Sequence, residues 1–293
     1  MKRWWFTPMP LGRIAALRTI AYLFIPLDVF AFTPWVRQHA DISTKLYEQM
    51  EVGRILHLPA PTHSFVLTIQ WLMVVVAVIA ATGRAPRILG IAVFLLYGEW
   101  MVIAMSYGKV DHDRYAYLVL LAVLPTIGAA RYGSRERSEA VGWALRCVQL
   151  AVVLTYFLSS WAKMRFGGLN WPTGAIFERA IVRRGTFLSN WLVHYPHLLE
   201  IGQFAMVIAE LSSPLILLAR SDRARYFVVG AMLMFHLVTF GALTIIFLPH
   251  LVAILSFLPL ERFRPVLWAR ERRSADRAAA IPTDPVMANP APD

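Results

Sequence analysis

The run 147-CVQLAVVLTYFLSSWAK-163 carries sixteen residues with no acidic or basic side chain and then closes on a lysine. A helix rising about 1.5 Å per residue needs roughly 20 residues to cross a hydrocarbon core of about 30 Å, and this run with its flanks has that length. Similar runs recur on both sides of it. The spans read from hydropathy are 16–35, 64–82, 87–106, 114–130, 141–162, 200–219, 225–243 and 245–260. Across its 293 residues the chain is 58% hydrophobic, with a mean hydropathy of +0.54, a balance at odds with a water-soluble domain of this size. Nothing alternates apolar and polar with period two over barrel-strand lengths, so strands are not expected. The reading is an all-α integral membrane protein, a polytopic bundle of about eight transmembrane helices.

The last two spans are the least separated. Thr244 is the only polar residue between them and Pro249 follows, so 225–260 also reads as one span plus a re-entrant piece. Charge favours the even count, because cytoplasmic loops collect Lys and Arg. With the N-terminus inside, the inner segments hold Lys2, Arg3 and Arg13, then Arg84 and Arg87, then Arg131, Arg135 and Arg137, then Arg220, Arg223 and Arg225, and finally the cluster from Arg262 to Arg277. Both termini are therefore expected in the cytoplasm, with the bundle in a bacterial cytoplasmic membrane. The net charge of +11 sits in loops and points to membrane topology, not to nucleic acid. The first run lacks a small-residue cleavage site and reads as a retained span.

Residues 1–262 form the expected transmembrane domain, and 263–293 a basic and then disordered tail, rich in Ala, Pro and Asp. Near 175–195, Phe177, Phe187 and Trp191 alternate with Arg179, Arg183 and Arg184, the mixture of an amphipathic segment lying in the membrane interface. Cys147 is the one cysteine, which leaves no intramolecular disulfide to form.

Ionisable and polar groups inside a bilayer are expensive, and those that remain are candidates for function. Here they are Asp28, Glu99, Arg146, Gln149, Lys163, Glu210 and His236. Lys163 is one of four lysines among 29 basic residues. In low dielectric a lysine releases its proton more easily, whereas arginine stays charged, so Lys163 suits a general base; the competing reading is an interfacial lysine that snorkels from a helix end. His112, in 109-KVDHDRYAYLVLL-121, reads either as a proton shuttle set by its flanking aspartates or as part of a hydrated helix start. Glu210 lies in 207-VIAELSSPLILL-218, where Pro214 frees its carbonyl and loosens the helix. His236 and Thr239 share a helix face with Met232, a set suited to holding a quinone carbonyl. Tyr156 and Trp171 offer rings near Lys163, although interfacial belts are aromatic in any case. Asp28 and Glu99 are candidate structural partners for Arg18 or Arg146. The His and Asp spacings around His112, His194 and His197 match no standard metal site, and no metal is expected.

The stretch 149-QLAVVLTYFLSSWAKMRFGGLNWPTG-174 resembles the signature of the HTTM membrane domain, shared by the vitamin K-dependent γ-glutamyl carboxylase and many bacterial proteins. Gln149, Tyr156, Phe157, Ser159, Ser160, Lys163, Trp171 and Gly174 fill that pattern. In order along the chain, 17-LRTIAYLFIPLDVF-30, His112 before Tyr117-Leu118, Glu210 with Pro214, and Phe235-His236 with 247-FLPHLVAILSFLPL-260 are similar to other parts of the domain. The resemblance implies Lys163 as the base that deprotonates a quinol; beside it, the residue reading expects His112 in a supporting role and Glu210, His236, Tyr156 and Trp171 around a quinone, which by the resemblance is of the vitamin K type. Ala162 stands where the carboxylase has the first of two adjacent lysines, and no counterpart of its β-rich lumenal domain is expected. Quinol-linked oxidoreductase or carboxylase-like chemistry is thus the leading expectation. The competing one is a non-enzymatic scaffold, an accessory subunit of a redox complex, joined to a redox partner protein or to a second copy of the chain. A small-solute transporter is the weakest, since no internal repeat relates the two halves.

Overall fold

The computed structural model describes residues 2–108, 110–219 and 221–262, so the expected tail at 263–293, with Lys109 and Arg220, lies outside the described residues. The principal helices are α1 (Leu11–Leu27), α2 (His63–Ala81), α3 (Pro86–Met105), α4 (Tyr115–Val123), α5 (Glu139–Gly167), α6 (Ile176–Arg184), α7 (Pro196–Leu211), α8 (Asp222–Leu243) and α9 (Leu248–Ile254). Among the described residues, five segments are long and apolar enough to cross a membrane: α1 with its extension to Phe32, α2, α3, α5 and α8. The chain is all-α in its architecture, consistent with an integral membrane protein. One small departure from the sequence reading is a two-residue antiparallel ladder in which Met9–Pro10 meets Arg137–Ser138 and ties the N-terminal lead to the start of α5.

The other three expected spans are met by shorter or interrupted helices. Pro125 ends α4, which finishes in a 3₁₀ turn at Leu124–Thr126. Pro214 has no N–H to continue the ladder, and α7 gives way after Leu211 to a 3₁₀ segment, Ser213–Leu218. Residues 225–260 are not one helix, because Thr244 adopts a left-handed backbone with φ 55° and Pro249 opens α9 as a separate element. The amphipathic segment expected near 175–195 is helical only over Ile176–Arg184, followed by a 3₁₀ turn at Asn190–His194.

Helices α1 to α5 and α9 enclose a core around Trp100, Tyr22, Tyr97 and Tyr117, all fully buried. Their outward faces are apolar too, as with Trp71, Leu72 and Val75 on α2 and Ile88, Ile91 and Leu95 on α3. Helix α8 goes furthest, with only 17% of its most apolar window buried. Apolar surface on that scale is stable against lipid and not against water. At Gly142 an added Cβ would run into the carbonyl of Thr7, so the close approach of the N-terminal lead to α5 requires glycine there.

The buried charges pair differently from the sequence expectation. Asp28 is held by Arg114, whose Nη1 lies 2.7 and 2.9 Å from its two oxygens, and by the Tyr97 hydroxyl at 3.0 Å; neither Arg18 nor Arg146 is its partner. Just beyond it the chain widens into a π turn, Asp28–Phe32, closed by Thr33 N–H on the Asp28 carbonyl. Arg18 instead donates to the carbonyls of Ile127 and Gly128, and Arg146 to Gln149 while it stacks on Trp4. The carboxylate of Glu99 has no hydrogen-bond partner among the described residues.

Candidate functional site

Long α5 supplies two of the candidate side chains from one face. Lys163 lies near its end, and Tyr156 two turns earlier. Helix α7 packs along α5, anchored by Ser160 Oγ on the Val207 carbonyl at 3.2 Å and by Ser213 Oγ on the Val153 carbonyl at 3.1 Å. That register brings Glu210 to Lys163, with Nζ 2.8 Å from Oε1 and 2.6 Å from Oε2. The pair is largely enclosed, its side chains 19% and 9% exposed. Trp171 covers the ammonium, its ring centroid 5.1 Å from Nζ, so Lys163, Glu210 and Trp171 meet as a unit.

Tyr156 points to α8, where its hydroxyl lies 2.7 Å from Nε2 of His236. Between the two pairs is a cavity of about 210 Å³ lined by Tyr156, Glu210, Ser213, Met232 and Phe235, with Ala209, Phe227 and Ala231 toward its mouth. Only Glu210, Ser213 and Tyr156 bring polar side chains to it. Phe227 is 78% exposed, and Ala209 and Ala231 are exposed too, so the cavity reaches the surface between α7 and α8. Thr239, grouped with His236 by sequence, spends its hydroxyl on the Phe235 carbonyl of its own helix.

His112 stands apart. Among the described residues no hydrogen bond or ion pair joins it to Lys163 or Glu210, and its ring lies 6.5 Å from that of Phe247. It sits on a 3₁₀ turn, His112–Arg114, beside a second, more polar cavity of about 520 Å³ lined in part by Trp35, His39, Tyr107, Asp113, Arg114 and Pro249. There burial pushes the Asp113 carboxyl above the usual range against the pull of Arg114, while burial lowers His39 despite its contact with the Ile103 carbonyl. No group of three or more His, Cys, Asp or Glu side chains among the described residues is arranged to hold a metal ion.

Three contributors escaped the sequence reading. Ser213 was passed over beside Pro214, although a hydroxyl next to a helix break is well placed to line a pocket. His250 and Gln203 are buried, at 1% exposure each. Gln203 reaches the backbone of Pro172, Gly174 and Phe177 and so fixes the short helix Asn170–Thr173 that carries Trp171; a lone amide in an apolar span was the available signal. Comparison of the chain with protein-family models, with curated proteins and with solved structures finds no match.

Proposed function

We propose that the chain is an HTTM-type membrane protein of eight membrane-crossing segments with both termini cytoplasmic, and that it takes a quinol from the lipid into the cavity between α5, α7 and α8. The observation that carries this reading is the cavity itself. It has apolar walls, a sideways mouth and a carboxylate and a phenol facing inward, which suits a flat, lipid-soluble ring with a polar group at each end.

The chemistry follows from the two pairs. Glu210 is paired with the ammonium of Lys163, and its carboxylate accepts a hydrogen bond, and then a proton, from one quinol hydroxyl. In this resting arrangement the basic group facing the ring is Glu210. Lys163 is the base in the tautomer in which its own proton has crossed to Glu210, the arrangement nearer to the mechanism implied by the family resemblance. Tyr156 and His236 serve the other end. With His236 accepting at Nε2, the phenol oxygen is left to accept from a quinol; with Nε2 donating, the phenol O–H is left to donate to a quinone carbonyl. The quinolate so formed is the electron donor, and dioxygen is the oxidant in carboxylase-like chemistry.

Mass spectrometry of lipid extracted from the purified protein tests the reading. Quinone is expected with the native chain and lost from Glu210→Gln; its absence from the native protein would remove the proposal. A second reading, an accessory subunit without catalysis of its own, draws on the ammonium of Lys163 being fully engaged and on the largely uncovered α8. A stably co-purifying redox protein, together with unchanged function of the complex in Lys163→Ala, would favour it.

A further inference from the structure

His250 is the residue after Pro249 at the start of α9, packed in the core with both ring nitrogens unpartnered among the described residues. His236, 6% exposed, has the same want at Nδ1. Their rings lie 5.6 Å apart, and the Tyr156 ring lies 4.9 Å from that of His250 and 5.9 Å from that of His236. Three buried ring nitrogens without partners, gathered beside a phenol, are costly in a dry core. Bridging water would satisfy them, since a buried water needs two to four polar neighbours and the three nitrogens and the phenol supply that number.

The triangle also joins two places that are otherwise separate. At one corner Tyr156 lines the cavity that holds Glu210, backed by Lys163. At the other, α9 packs on the His112–Arg114 turn, and its first residues, Leu248 and Pro249, line the polar cavity with Asp113 and Arg114. We propose that Tyr156, His236 and His250 form a water-lined proton path between the Glu210 cavity and the polar cavity beside His112. A proton reaching Nε2 of His236 releases the one on Nδ1 to water, which hands it to His250 and onward, so each ring ends with the proton count it began with. The path rests on the quinol reading for the source of its protons, and on the buried nitrogens alone for its water.

Hydroxyl-radical footprinting of the full chain in nanodiscs decides the water independently of any quinone. Tyr156 is expected to be modified about as fast as exposed Tyr195, and roughly tenfold faster than buried, dry Tyr117. Modification of Tyr156 as slow as that of Tyr117 overturns the path. In His250→Phe, the Tyr156 signal is expected to fall to that dry level, while proton release from a bound short-chain naphthoquinol slows roughly a hundredfold and recovers with added imidazole. Release at the native rate in His250→Phe overturns the path even with quinone bound. Absence of quinone from the native protein would sink the quinol reading alone and leave the footprint to decide the path.

Discussion

Nζ of Lys163 and Oε2 of Glu210 lie 2.6 Å apart across 47 positions of sequence, and the contact adds a charged link between the end of α5 and the last turn of α7. Removing one partner leaves the other charge enclosed and unpaired. Lys163→Met and Glu210→Gln are each expected to lower unfolding free energy in detergent by about 3 kcal/mol, whereas the two together should cost less than the sum. Strictly additive losses in that double-mutant cycle would mean that the pair is not formed.

A harsher result is expected at Asp28. Its side chain is fully enclosed and takes both contacts of Arg114 as well as that of Tyr97. Asp28→Ala strands the guanidinium in the core and should destabilise by about 4 kcal/mol, and Arg114→Ala by a similar amount. At the exposed pair of Arg54 and Glu51, by contrast, Arg54→Ala should leave the thermal midpoint unmoved. Equal midpoints for all three variants would refute the ranking.

The sequence was most legible where burial follows length and hydropathy. Helices α2, α3 and α5 fall close to the spans at 64–82, 87–106 and 141–162, because an unbroken apolar run has no other stable form in lipid. Charge partners were less legible. Asp28 and Arg114 are 86 positions apart, and nothing in the pattern of either helix says that α1 and α4 begin and end together. Arg114 stands at the first position of the expected 114–130 span, where its residue type alone names no partner. The meeting of Lys163 with Glu210 likewise depended on the register of α5 and α7, fixed by hydroxyls on helix carbonyls that leave no periodic trace.

Acid should loosen the junction between the first turn of α1 and the segment after α9. Glu261 accepts from Arg13 Nε at 2.8 Å and from Nη2 at 2.7 Å. Burial pushes its carboxyl up, but these bonds and the charge of Arg13 outweigh that, and the net shift is downward. A carboxyl depressed on folding stabilises fully above its unfolded value, and the contribution is lost as pH falls through the folded value. The stability difference between the native chain and Glu261→Gln should therefore be level near neutrality and shrink below about pH 4.5, the ordinary glutamate value. Chemical unfolding across that range checks it. A difference that grows on acidification would have the wrong sign for this ion pair.

The cavity's mouth gives the most direct separation of fold from function. Ala231 is exposed and lines the cavity beside Phe227, so a large ring there projects into the opening without displacing core atoms. Ala231→Trp is expected to keep the native unfolding midpoint, because overpacking costs arise in enclosed sites and this one opens outward. Bound quinone, however, should fall at least to a tenth, as about 210 Å³ leaves little room for both an indole and a substituted ring. Leu237→Trp is the control, since Leu237 is 61% exposed on the same helix and does not line the cavity. Native quinone content in Ala231→Trp would show that the ligand enters elsewhere. Equal loss in both variants would point to a general effect of bulk on α8 and not to a mouth between α7 and α8.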